Sequence, residues 1–127
     1  MNPPCRGDVW LTDFGQTRGH EQSGTRPALV VSIDTFNTSK AGLVTVLPMT
    51  SKERALRSRV EVVPPEGGLT LRSYVIGEQT RTVSTERLIK PLGRVTGSTM
   101  SKSSSVVRTL LGLGEFAPNM PPGTSPG

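Results

Sequence analysis

The stretch Gly19-His20-Glu21-Gln22-Ser23-Gly24-Thr25-Arg26-Pro27-Ala28-Leu29-Val30-Val31-Ser32-Ile33 changes character at Pro27. Before it, polar side chains lie between two glycines with no helical or strand period. After it, Ala28 to Ile33 read as a buried strand. Proline lacks the N–H a ladder needs, so Pro27 is expected at the strand's start or on an edge. The loop from Gly15 to Thr25 is longer than most connections in compact domains. Loops of that length are usually functional or disordered.

Working outward, Asp8-Val9-Trp10-Leu11-Thr12-Asp13-Phe14 alternates as a strand does. Leu43 to Leu47 is the clearest strand and is expected to stop at Pro48. Residues 52–59 carry four basic side chains and read as a mobile loop feeding a strand over Val60 to Val63. Leu69, Leu71, Tyr74 and Ile76 lead into a further strand, Gly77 to Val83. Residues 34–42 and 64–68 read as turns, Ser84 to Leu88 as a capped helical turn, and Lys90 to Val95 as a last short strand. A helix is predicted from Thr99 to Leu111, capped by Thr96 or Ser98, with an apolar stripe of Val106, Val107, Leu110 and Leu111. Five to seven short strands and one C-terminal helix make a mainly β fold, a small and partly open barrel.

The composition agrees with that reading. Fourteen glycines and eleven prolines in 127 residues favour short strands and turns over long helices. With 33% hydrophobic and 4% aromatic residues, core material is scarce, and such a domain is often stabilised by a partner or a second copy. Trp10, the one tryptophan, reads as a core or interface anchor ahead of a base-stacking role. The net charge of +5 favours an anionic partner, although it also suits a protein simply kept off its isoelectric point. Cys5 is alone, so there is no internal disulfide and no thiolate metal site. With no apolar leader and no run long enough to span a bilayer, a cytoplasmic protein without membrane association is expected. Residues 1–6 read as a flexible lead, 7–114 as the barrel domain, and 115–127 as a disordered tail rich in proline and glycine.

Three places carry side chains suited to chemistry. Arg26 sits where a loop enters a strand and presents a planar fork of donors, which suits a phosphate or a structural ion pair. Thr50 and Ser51 leave the end of a strand, where hydroxyls donate to phosphate oxygens or cap a turn. Glu78 and Arg81 lie three apart, on opposite faces of a regular strand. Glu78 there is a possible base or a plain solvated residue. No Cys/His cluster, paired-histidine site or Gly-rich phosphate loop is present. One reaction class still fits: cleavage of RNA by its own 2′-hydroxyl. The substrate then brings the nucleophile, and the protein supplies a base, an acid and positive charge.

Gly7-Asp8-Val9-Trp10, the block from Gly19 to Val31, and Leu47-Pro48-Met49-Thr50-Ser51 resemble, in order and spacing, the MazF/PemK (Kid) toxin family. The resemblance covers about residues 6 to 114. It implies a small SH3-like barrel of the CcdB/PemK type with a C-terminal helix. It also implies a homodimeric, sequence-specific endoribonuclease of a toxin–antitoxin system. Cleavage of single-stranded RNA would need no metal or other cofactor and would leave 2′,3′-cyclic phosphate and 5′-hydroxyl ends. A cognate antitoxin would lay its C-terminal tail along the dimer and block the RNA site.

Carried over by position, Arg26 and Thr50 match the residues held essential in the MazF branch. His20 and Glu21 match the His-Glu of the PemK branch, and Glu78 falls at that branch's general-base aspartate. That branch's catalytic arginine, two residues before the acid, is replaced here by Ile76. A guanidinium keeps its proton and is a poor proton donor, so Arg26 reads as an electrostatic stabiliser. An imidazole can both carry and release a proton, which makes His20 the better acid. Glu78 stands ahead of Glu21 as base. Gln22, Thr25, Ser51, Lys52, Arg54, Gln79 and Arg81 are the expected RNA contacts. Two other readings compete: a gyrase-directed toxin of the same fold, and a non-catalytic nucleic-acid-binding barrel with residues 52–59 as its footprint.

Overall fold

A computed structural model describes residues 3–113. The expected tail, residues 115–127, lies outside the described residues. The chain forms seven strands and two helices: β1 (Asp8–Asp13), β2 (Thr25–Val30), α1 (Asp34–Asn37), β3 (Leu43–Thr50), β4 (Arg59–Val62), β5 (Ser73–Ile76), β6 (Arg81–Ser84), β7 (Leu88–Arg94) and α2 (Gly97–Leu110). Three 3-10 turns occupy Glu66–Gly68, Gly77–Gln79 and Thr85–Arg87. The strands pair antiparallel in the order β4-β5-β3-β2-β1-β7, and β6 adds to β3. This is the expected mainly β fold with a C-terminal helix.

Both faces of the central strands are buried, which is why they read as near-continuous apolar runs. Val9, Leu29, Leu47 and Met49 join Val60, Val62, Leu69 and Val75 in one core. Trp10, Ala28, Val30, Val44 and Val46 join Phe14, Val83 and Leu88 in a second. The two sets fall on alternate residues of β1, β2 and β3, as the two-residue side-chain period requires. Trp10 is 2% exposed, and its Nε1 donates to Asp8, so it is a core anchor.

Two prolines shape β3. Phe14 N–H bonds to the Gly24 oxygen and Val31 N–H to the Thr45 oxygen. Strand alternation then turns the nitrogen of Pro27 away from β1 and that of Pro48 away from β2. The β2–β3 ladder ends at the Ala28–Pro48 pair, because Pro27 has no N–H for the next one. Pro48 falls between the part of β3 paired to β6 (Leu43 to Val46) and the part paired to β5 (Met49 and Thr50). β3 therefore continues through Pro48 to Thr50 rather than stopping there. Its last two residues are free of β2, and a cleft opens at that point.

Other boundaries move. Thr25-Arg26-Pro27 belongs to β2, paired with Asp13-Thr12-Leu11, so the strand starts three residues before Ala28. Residues 77–83 are not one strand. A 3-10 turn separates β5 from β6, so the alternation expected between Glu78 and Arg81 does not apply. The turn region after Ile33 contains the short helix α1. Residues 4–6, expected in a flexible lead, are tied down. Pro4 is buried, Arg6 N–H bonds to Asp34 at 2.7 Å, and the Arg6 guanidinium reaches the Val31 oxygen and the Ser104 hydroxyl.

Thr96 caps α2, its hydroxyl accepting from Thr99 N–H at 3.2 Å. Met100, Val106 and Val107 cover the first core. Leu110 and Leu111, at the far end of the expected apolar stripe, are 51% and 59% exposed. The helix leans on Gly77, where a Cβ would stand 2.4 Å from Val106 Cγ1 and 2.7 Å from the Ser58 oxygen. Only glycine fits that approach, so the helix seat and the Glu78 turn are set by one residue.

Candidate active site

The loop between β1 and β2 is closed at its base like a hairpin. Gly24 N–H bonds to the Gly15 oxygen at 2.8 Å, and Gly24 takes φ +76, a conformation glycine adopts without strain. Arg26 follows on β2. Its Nε donates to the Ser23 oxygen at 2.8 Å, which aims the guanidinium and leaves both terminal nitrogens for other acceptors. Among the described residues Arg26 makes no ion pair.

Thr50 ends β3 and is 6% exposed. Its Oγ1 accepts from Lys52 N–H at 3.1 Å, so it does cap the turn. No hydrogen bond among the described residues uses its hydroxyl as donor, so that proton remains available to an oxygen in the cleft. The turn cap and the anion donor are therefore compatible roles for one side chain.

Arg26 and Thr50 lie at the junction of two clefts. The first, about 270 Å³, is also lined by His20, Glu21, Gln22, Lys52 and Arg54, all expected at the site. Arg59 completes it. Four cations face one carboxylate there, a field suited to a polyanion. The second cleft, about 200 Å³, adds Thr25, Ser51 and the apolar side chains of Pro27, Met49, Leu69 and Leu71.

Three expected residues lie elsewhere. Gln79 stands behind the loop. Its Oε1 accepts from Gln22 N–H at 2.7 Å and its Nε2 donates to the His20 oxygen at 2.8 Å. The amide thus holds the backbone on both sides of Glu21 instead of lining the cleft. Arg81 sits over the Phe14 ring, 5.0 Å from its centroid, in a cation–π contact on the second core. Glu78 is gripped by Arg59 from Nε and Nη2, the shorter contact being 2.9 Å, and its Oε1 also accepts from Ser58 Oγ at 2.6 Å. Burial pushes the Glu78 carboxyl up, but the Arg59 and Ser58 hydrogen bonds outweigh it and hold its pKa below the ordinary value. Both oxygens are engaged. Glu21 lines the cleft, and among the described residues its carboxylate accepts only from Arg18 N–H, at 3.3 Å, through one of its two oxygens.

Arg59 is the site residue that sequence reading did not single out. It appeared only as one basic residue in a loop expected to be mobile. In the structure it begins β4, pairs with Ile76 on β5, and keeps only 6% of its side chain exposed. The available signal was its place at the very end of the basic run, just before Val60-Glu61-Val62, where a loop cation becomes a strand cation.

Residues 5–111 match the family described as PemK-like, MazF-like toxin of type II toxin–antitoxin system. The chain is 33% identical over 113 residues to endoribonuclease MazF9 of Mycobacterium tuberculosis, covering 85% of this chain and 96% of that protein. It is 30% identical over 112 residues to endoribonuclease EndoA of Bacillus subtilis, covering 87% and 97%. Among solved structures it is similar to MazF of Deinococcus radiodurans, with a TM-score of 0.79 and 25% identity over 89% of this chain and all of that one. It is also similar to a mycobacterial endoribonuclease solved with its cognate antitoxin, with a TM-score of 0.72 and 31% identity over 87% of this chain and 97% of that one.

Proposed function

The chain belongs to the PemK-like, MazF-like toxins of type II toxin–antitoxin systems, and from that premise we propose that it is an endoribonuclease cutting single-stranded RNA through attack of the substrate's own 2′-hydroxyl. The observation that carries this is the junction of Arg26 and Thr50. A fixed guanidinium and a hydroxyl proton converge on one cleft, with an imidazole and a carboxylate on the loop above them.

In this reading Glu21 takes the 2′-hydroxyl proton. The 2′-oxygen attacks the adjacent phosphorus, and the P–O5′ bond breaks as His20 protonates the leaving 5′-oxygen. A 2′,3′-cyclic phosphate and a 5′-hydroxyl result. Arg26 and the Thr50 hydroxyl meet the charge that grows on the non-bridging oxygens. No step calls for a metal. The adjoining cleft, with its apolar walls of Pro27, Met49, Leu69 and Leu71, suits an unstacked base. Glu21 replaces Glu78 as the base because Glu78 has no free oxygen to receive the proton.

The protein is proposed to act in the cytoplasm as a homodimer, restrained by an antitoxin whose C-terminal tail covers the site. Leu110, Leu111 and Leu113 at the end of α2 are more than half exposed and fit a second copy. No helix among the described residues is long and apolar enough to cross a membrane. The His20-Glu21 loop held against Arg26 and Thr50 favours this reading over a gyrase-directed toxin of the same fold.

The test is incubation of the purified protein with a long RNA in EDTA, with end-group analysis of the fragments. Cutting is expected, with cyclic phosphate at the 3′ ends. Arg26→Ala is expected to lose about 10²-fold or more in rate, as for a key oxyanion donor, and Thr50→Ala to be impaired as well. Equal cutting by wild type and both variants would overturn the assignment.

A further inference from the structure

The Arg59–Glu78 pair is built for more than holding two strands together. Arg59 uses Nε and Nη2 on Glu78, in a side-on grip. Glu78 is itself anchored by Ser58 Oγ, and the turn that carries it is fixed where Gly77 N–H bonds to the Ser58 oxygen at 2.9 Å. The stem of Arg59 is buried on the sheet opposite Ile76. Its remaining nitrogen, Nη1, has no hydrogen-bond partner among the described residues. It is not among the buried unpaired atoms there, which are Arg81 Nη1 and Ser103 Oγ, so it touches solvent. Arg59 itself lines three clefts: the one shared with Arg26 and Thr50, a groove of about 620 Å³ running between β4 and α2 past Arg57 and Lys102, and a third of about 400 Å³ beside Leu56 and Tyr74.

We propose that Arg59 is a second phosphate-contacting residue of the RNA site, with Nη1 as the donor and Glu78 as the group that aims it. A carboxylate on the Nε edge fixes the guanidinium plane, so little side-chain freedom remains to be lost when a phosphate arrives. Lys52 and Arg54 line the same cleft from an exposed segment, on long and flexible stems. Arg59 is the cleft cation besides Arg26 with a guanidinium already held by the protein. Its position at the mouth of the β4–α2 groove continues the RNA path from the cleavage cleft toward Arg57 and Lys102. Glu78 is a positioning residue in this scheme, and its carboxylate takes no proton from the substrate.

This inference rests on the proposed RNA-binding site, and its test separates the two. Binding is measured against salt with a 2′-O-methyl ribo-oligonucleotide, which cannot be cut. For single strands the slope of log K against log salt changes by about 0.7 for each phosphate that is no longer neutralised. Arg59→Gln is expected to reduce the slope by about that amount, and Arg59→Lys to retain it. A residue that only braces the sheet would lower the melting midpoint and leave the slope unchanged, and that result would overturn the proposal. Should Arg59→Gln fail to fold by circular dichroism, the side-chain ¹⁵N signals of Arg59 in wild type decide. They are expected to shift on saturation with the oligonucleotide, and no shift would overturn the proposal. If wild type cuts RNA but the Arg59 readouts stay flat, this inference alone fails. If wild type neither cuts RNA nor binds the oligonucleotide, both fall.

Discussion

The side-chain amide of Gln79 holds His20 by its backbone, with Nε2 2.8 Å from the His20 oxygen. The same amide accepts from Gln22 N–H at 2.7 Å. The segment carrying the imidazole and Glu21 is thus pinned at two points by one residue of the turn between β5 and β6. Its side chains stay exposed while its backbone is fixed, a suitable state for groups that must meet a substrate in one orientation.

Gln79→Leu keeps the volume and removes both bonds. Each is worth about 0.5–1.5 kcal/mol, so the fold should survive. The expected result is faster hydrogen exchange at the Gln22 amide and a fall of about tenfold in cleavage rate. Unchanged exchange at Gln22 would show that the clamp does not hold the loop.

The two carboxylates should separate cleanly. Loss of a general base typically costs 10²–10⁴-fold, so Glu21→Gln is expected to fall by about that factor. Glu78→Gln should stay within about tenfold of wild type, because Glu78 only aims Arg59. The opposite pattern would return the base to Glu78.

A third prediction concerns acid stability. Burial raises the Glu66 carboxyl, but hydrogen bonds from Thr99 and Thr96 and the nearby Lys102 outweigh it, so its pKa lies below the ordinary 4.5. Its Oε2 accepts from Thr96 N–H at 2.9 Å, beside the cap of α2. A carboxyl depressed in the folded state contributes stability above its unfolded value and loses it as pH falls through the folded one. Glu78 is shifted the same way. Urea midpoints should hold steady above about 4.5 and drop below it, and Glu66→Gln should be less stable at neutral pH with a shallower drop. A Glu66→Gln curve parallel to wild type would remove Glu66 as a source.

The legible parts of the molecule were those written in local pattern. Val9, Leu29 and Leu47 announced strands because β-branched and aliphatic runs between turn residues have few other uses. Thr96 was one of two caps that spacing allowed. Pro48 misled, because a proline ends a ladder only if its missing N–H faces a partner. Here it faces the gap between β6 and β5. Leu110 and Leu111 extend an apolar stripe, but amphipathic spacing does not say what covers a face, and in this chain they remain exposed.

By itself the sequence determined the mainly β architecture with its C-terminal helix, the family motifs, and the placement of Arg26 and Thr50 at strand ends beside a long polar loop. Those features depend on neighbours in the chain. Only the tertiary structure decided that Arg59 faces the cleft, that Glu78 serves Arg59, that Gln79 clamps the His20 loop, and that Arg81 stacks on Phe14. Each of these is a contact between residues 19 to 67 positions apart, made when β1, β4 and the turn between β5 and β6 come together. Charge and spacing along the chain specify which side chains can donate or accept. The sheet register decides which of them meet.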